Sequence, residues 1–206
     1  MSYAVTGLVV AGGESARMGR DKAFLDYHGQ PQAFHLYRLL ETLCGAVFIS
    51  CNQRQYEAIP ASYNTIPDSP EFLNMGPMTA ILSAAATLPG QSILAIGCDY
   101  PLLRRADLVA LLECFVKENK SVCYRNEDGY PEPLIAVYQE NSLKELQHGF
   151  SSYRNSLSRF LRQTDAMFLQ PEFPDGLRSI DDETAYREVK ASLDAAINDK
   201  TLNLRK

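Results

Sequence analysis

Apolar positions along the chain fall into two alternating kinds of run. Short unbroken stretches read as strands covered on both faces, and stretches with an apolar residue every three or four positions read as helices lying on a sheet. Residues 8–11 (LVVA), 46–51 (AVFISC) and 92–97 (SILAIG) are of the first kind. Ala33, Tyr37, Leu40 and Cys44, after Gly29-Gln30-Pro31, are of the second, since proline suits a first helical turn. So are Met78, Ile81, Leu82, Ala85 and Leu88 after Gly76-Pro77, and Leu108, Leu111, Leu112 and Phe115. Strands alternating with helices predict parallel βαβ units, and hence an α/β fold of three layers, α/β/α.

The second half departs from that rhythm. Residues 122–125 and 134–138 flank Asn126-Glu127-Asp128-Gly129 with no helix between them, which predicts an antiparallel pair and a mixed, mostly parallel sheet. Residues 63–67 read as a short extended piece and 71–75 as a mobile connection. Asn141-Ser142 and Asn155-Ser156 offer caps for helices at 143–148 and 157–164. A short strand at 168–169 follows, then a helix capped by Asp182 with Tyr186, Val189, Leu193 and Ile197 inward. Residues 198–206 read as a loose polar tail. With no repeat or linker, residues 1–206 are expected to form one domain.

Composition narrows the partners. A net charge of -5 and a pI near 5.3 argue against nucleic acid and against an anionic membrane, which select basic surfaces. No apolar run approaches the roughly 20 residues of a membrane span, and Met1-Ser2-Tyr3 opens no signal pattern, so a cytoplasmic protein is expected. Cys44, Cys51, Cys98, Cys114 and Cys123 are scattered without a C-x-x-C pair, and His28, His35 and His148 lack ligand spacing. Reduced core thiols are expected and zinc is not.

Chemistry gathers where strands end. Val10 and Ala11 run into Gly12 and Gly13, and Arg17, Gly19, Asp21 and Lys22 follow. Glycines let backbone N–H groups approach a ligand closely while Arg and Lys add positive charge, a combination suited to phosphate. The segment matches neither the Walker loop, since Gly19 precedes Arg20, nor the dinucleotide G-x-G-x-x-G. In parallel sheets, sites lie at the carboxyl ends of strands. Ser50 and Asn52 stand at one such end, where a base or ribose is read, though Asn52 serves equally as a cap. Asp68 ends another extended piece and on its own permits a turn. At Cys98-Asp99-Tyr100-Pro101 the proline stops the strand and leaves Asp99 at the sheet edge, as a magnesium anchor or a turn aspartate.

Residues 11–22, AGGESARMGRDK, resemble the AGG-x-S-x-R-M-G-x-D-K signature of nucleotidyltransferases, most closely the molybdenum cofactor guanylyltransferase (MobA-like) branch. Cys98 to Pro101 resembles that family's C-D-x-P magnesium motif. The resemblance implies a nucleotide-diphospho-sugar transferase (Rossmann-like) fold and transfer of GMP from GTP to molybdopterin with Mg2+, releasing pyrophosphate. It implies that Val10, Ala11, Gly12, Gly13, Lys22, Asn52, Asp68 and Asp99 bind the nucleotide, with Asp68 reading the base. It makes Arg17, Lys22 and Asp99 catalytic, with Asp99 on the metal, and places acceptor contacts at Pro131-Glu132-Pro133. Arg154, Arg159 and Arg162 read as solvated helix charges or as a phosphate site for an anionic acceptor. GTP and molybdopterin are the expected partners, with transient contact to cofactor-handling proteins and a monomer or weak oligomer.

The chain departs from the family pattern at Ala80, at Ser50, where the guanylyl branch carries Asn, and at Ser179-Ile180-Asp181-Asp182-Glu183, which replaces Asn-x-Asn-Thr-Pro. Asp181 stands equally as a second metal carboxylate and as part of a cap. A cytidylyl enzyme on the same cofactor, a sugar-phosphate nucleotidyltransferase and a non-catalytic nucleotide-binding module are the alternatives.

Overall fold

The computed structural model describes residues 2–11, 19–153 and 156–203, apart from the side chains of 197–203. Among these residues, β1 (Tyr3–Val10), β2 (Cys44–Cys51), β3 (Thr65–Pro67), β4 (Ile93–Gly97), β5 (Val122–Arg125), β6 (Pro131–Tyr138) and β7 (Met167–Leu169) make one sheet. Its order is β3-β2-β1-β4-β6-β5-β7. β1 pairs in parallel with β2 and β4, β2 with β3, and β5 with β7, while β6 runs antiparallel to both β4 and β5. The two reversals at β6 cancel, so β5 and β7 point the same way as β1 to β4. Every parallel strand therefore ends on one edge, where β6 begins.

Side chains alternate between the two faces of a strand, and each face has its own cover. Val9, Ile49, Leu94, Ile96, Val122 and Val137 pack under Leu36 and Leu40 of α1 (Gln32–Glu41) and Leu108, Leu111 and Leu112 of α4 (Arg105–Glu118). Leu8, Val10, Ala95, Cys123, Ala136 and Tyr138 face the other way. They meet Ile81 and Leu82 of α3 (Pro77–Thr87), Leu146 of α5 (Glu140–Gly149) and Phe160 of α6 (Leu157–Gln163). The three layers and the mixed sheet are those expected. A third, smaller cluster joins Leu25 and Tyr27 to Ile180 and to Val189 of α7 (Glu183–Asn203), so the last helix docks onto the segment that follows the glycine loop.

Several expectations are corrected. Cys44 opens β2 instead of closing the α1 face, and it is buried there beside Leu43. Residues 71–75 are anchored, because a 3-10 turn at Pro70–Phe72 sinks Phe72 into the core. α5 begins earlier than Asn141-Ser142, since the Gln139 side chain takes the N–H groups of both residues and caps the helix itself. The polar stretch from residue 198 continues α7 to Asn203 instead of forming a loose tail. The chain also adds α2 (Gln53–Ala58), which has too little apolar periodicity to announce itself and is held by its cap.

Candidate active site

Hydrogen bonds carry the ladder just past the strand ends and align the expected residues. The Ala11 N–H donates to the Ser50 carbonyl at 3.0 Å, Asp68 N–H to the Cys51 carbonyl at 3.0 Å, and Cys98 N–H to the Val10 carbonyl at 3.3 Å. Ala11, Asn52, Asp68 and Asp99 thereby sit side by side along one edge. Gly12, Gly13 and Arg17 lie outside the described residues. Lys22 stands in a 3-10 turn, Lys22–Phe24, whose start is capped by the Asp21 carboxylate accepting from the Ala23 N–H at 3.0 Å.

Asp99 anchors a charged cluster. The Ser179 hydroxyl donates to its Oδ2 at 3.1 Å, and the Ile180 N–H donates to its carbonyl at 2.9 Å, which stitches the segment before α7 to the end of β4. Its other oxygen, Oδ1, is buried with no hydrogen-bond partner. Burial raises the Asp99 pKa, the nearby Lys22 ammonium opposes that rise, and the Asp181 carboxylate adds to it. Lys22, whose side chain is only 20% exposed, is ion-paired with Asp181, and the Ser179 hydroxyl also reaches Asp181 at 3.3 Å. Lys22 and Asp99, distant in the chain, thus share one site, and Asp181 and Ser179 join them.

The donor set suits a hard cation. An orphaned, buried carboxylate oxygen beside a second, half-exposed carboxylate is what magnesium accepts when substrate phosphates and water complete its shell. Among the described residues no group of three or more His, Cys, Asp or Glu is placed to hold a metal by protein ligands alone. Cys98 is buried, chiefly raising its thiol pKa well above the ordinary value, so it stands protonated and is no nucleophile.

Toward β3, burial raises the Asp68 pKa while the buried Ser50 hydroxyl beside it favours the charged form. Asn52 caps α2: its carboxamide oxygen accepts from Gln55 N–H at 3.0 Å, and Gln55 Oε1 accepts from Asn52 N–H at 3.0 Å. Toward β6, Glu132 accepts from the Tyr100 hydroxyl at 2.7 Å and from Asn126 Nδ2 at 2.9 Å. A cavity of about 360 Å³ opens there, lined among others by Asn126, Glu132, Asp175, Arg178 and Ser179, so one wall is the residue that holds Asp99. Arg162 lies farther out, 5.7 Å over the Tyr130 ring, and Arg154 is outside the described residues. Gln55 and Arg178 were not singled out from sequence, and Ser179 entered only as the first residue of the stretch that departs from the family pattern. Only Gln55 had a signal, the Asn-x-x-Gln spacing of a capping box.

Residues 7–167 match the family described as the MobA-like NTP transferase domain. The chain belongs to this family. This NTP transferase domain is 30% identical over 185 residues to the molybdenum cofactor biosynthesis bifunctional protein of Synechocystis sp., a match covering 89% of this chain and 53% of that protein, about half its length. It is 28% identical over 155 residues to the molybdenum cofactor guanylyltransferase of Pseudomonas entomophila, covering 75% and 80% respectively. Its fold is similar to that of molybdopterin-guanine dinucleotide biosynthesis protein A from Archaeoglobus fulgidus, with a TM-score of 0.77 at 16% identity over 93% of this chain and 100% of that one. The shared fold is thus the three-layer arrangement around a mostly parallel mixed sheet described above.

Proposed function

We propose that this NTP transferase domain moves GMP from GTP to the terminal phosphate of molybdopterin. An acceptor phosphate oxygen forms a bond to the α-phosphorus, and the bond from that phosphorus to the oxygen bridging to the β-phosphate breaks. Pyrophosphate leaves with the electron pair. The observation that carries this reading is the convergence of Lys22, Asp99, Asp181 and Ser179 at one sheet edge, with Asp68 on one side and an open cavity on the other. The names of the Synechocystis and Pseudomonas relatives support the choice of substrates.

An anionic nucleophile needs little base catalysis; the protein must suppress charge repulsion and hold the in-line geometry. Lys22 neutralises charge growing on the α-phosphoryl oxygens, Arg17 takes the departing pyrophosphate, and the Gly12 and Gly13 N–H groups receive the triphosphate. Val10, Ala11 and Asn52 bound the nucleotide's bed. The Asp68 carboxylate accepts two neighbouring donors of guanine, N1–H and the 2-amino group, a pair that adenine lacks. Asp99 and Asp181 would hold Mg2+, which supplies charge neutralisation and a template for the phosphates. The cavity by Glu132 and Arg178 receives the acceptor. The whole of residues 1–206 acts as one domain, a cytoplasmic monomer or weak oligomer that takes its acceptor from cofactor-handling proteins. Among the described residues, no helix is long and apolar enough to cross a membrane.

Thermal unfolding with magnesium and GTP, CTP or ATP tests the base. GTP at a hundred times its Kd should add about 2.7 kcal/mol, with little from the others. Stabilisation by CTP alone would favour the cytidylyl alternative, which Ser50 in place of Asn leaves open. Lys22→Ala and Asp99→Ala should each lower pyrophosphate release with molybdopterin by on the order of a hundredfold. Near-normal turnover by either variant would remove that residue from the mechanism.

A further inference from the structure

Gln55 lies on α2 and is 1% exposed, yet it does far more than close its own helix. Its side-chain nitrogen donates to the Ala11 carbonyl at 2.8 Å and to both carboxylate oxygens of Asp21, at 3.0 and 2.9 Å. Ala11 and Asp21 are the two residues that flank 12–20, the glycine-rich stretch of the proposed phosphate site. One amide group thus bridges both ends of that stretch. Its oxygen accepts from the Asn52 N–H at 3.0 Å, so the same side chain reaches the residue beside the proposed base pocket. Asp21, once held, caps the turn that carries Lys22.

We propose that Gln55 is a positioning residue for nucleotide transfer: it clasps the glycine-rich stretch at both ends and, through Asp21, sets where the Lys22 ammonium stands. The two amide hydrogens are divided between the two ends, one to a carbonyl and one shared by a carboxylate. No other neutral side chain of this length offers two donors and an acceptor on one planar group. Buried donors facing a carbonyl and a carboxylate are costly to remove, because the acceptors they leave behind are cut off from water. The inference rests on the proposed reaction for its effect on turnover but not for the clasp itself.

The deciding variant is Gln55→Glu. It keeps the shape and the oxygen that accepts from Asn52, so the cap of α2 survives, while both donors are lost and a carboxylate is set against Asp21. Far-UV circular dichroism should match wild type, kcat/KM for GTP should fall at least tenfold with KM rising as kcat falls, and amide exchange at Ala23 should quicken at least tenfold. Adding Asp21→Asn, which returns a donor to the pair, should recover part of the loss. Should the glutamate variant fail to fold, Gln55→Met, uncharged and of similar volume, must show the same exchange at Ala23. Turnover within twofold of wild type in Gln55→Glu, no recovery in the double variant, or unchanged exchange at Ala23 would overturn the clasp. Exchange needs no substrate, so quickened exchange in a protein whose wild type transfers no guanylyl group to molybdopterin condemns the reaction and leaves the clasp standing.

Discussion

Gly97, the last residue of β4, decides how Asp99 can sit. A Cβ built there would fall 2.4 Å from Asp99 Oδ1 and 3.2 Å from the Leu134 Cβ, distances that force something to move. Gly97→Ala should cost about 1–3 kcal/mol through overpacking. It should also lower turnover at least tenfold, because the carboxylate is what yields; urea unfolding and a pyrophosphate assay read the two effects separately. Asp99 itself is a buried charge with an orphaned oxygen, so Asp99→Asn should raise the melting temperature in EDTA by a few degrees while lowering transfer by on the order of a hundredfold. A lower melting temperature would show that the carboxylate is instead a net support of the fold. The Asp-x-Pro pattern made Asp99 legible before any coordinates. Its reliance on Gly97 was not, because a glycine closing a strand looks like ordinary punctuation until the third atom in the clash, from β6, is placed.

At the level of elements, the chain just after the glycine-rich stretch is held from two sides. α7 packs Tyr186 edge-on against Tyr27 at 5.1 Å between ring centres, and the Tyr186 hydroxyl donates to the Asp26 carbonyl at 3.2 Å. From α1, His35 stacks on His28 at 3.7 Å, and His28 Nε2 bonds to the Pro101 carbonyl at 3.0 Å, tying the turn after Asp99 to the turn after Lys22. The Pro101 oxygen can only accept, so Nε2 is the donor. Burial lowers the pKa of both rings, and His35 falls from 6.5 to about 4 with the neighbouring His28 adding to the effect. A lowered folded pKa means stability that is fully present above pH 6.5 and lost as pH falls through the window toward 4. The urea midpoint should therefore drop across that interval, and His35→Phe should flatten the drop; an unchanged slope would place the acid sensitivity elsewhere. Long elements announced themselves through apolar periodicity and through Pro or Gly at their ends. α2 did not, because capping bonds sustain it and those leave no apolar stripe.

Across the whole molecule, β6 divides the working edge. Asp68, Asn52 and Ala11 lie on the β3-β2-β1 side, the cavity by Glu132 and Arg178 lies on the β6-β5 side, and Asp99 stands at the junction. Donor and acceptor should accordingly respond to different substitutions. Arg178→Ala is expected to raise KM for molybdopterin roughly tenfold, a loss typical of one charged contact, and to leave the thermal shift by GTP as it was. A weakened GTP shift would mean the two halves are not separable. This division was only half visible in advance: the hairpin was evident from its turn residues, but the cavity depends on residues 171–179 returning to the sheet from far along the chain.

The pairing of Lys22 with Asp181 has one more bearing. An empty pocket with a bare ammonium would collect sulfate or inorganic phosphate from its surroundings; here an internal carboxylate already fills that role. A newcomer has to outcompete it, and a polyphosphate arriving with its own dication can give the displaced carboxylate somewhere to go, whereas a lone monophosphate cannot. Small anions should accordingly bind this ammonium more weakly in the resting protein than in an Asp181→Ala variant, as a sulfate titration would read.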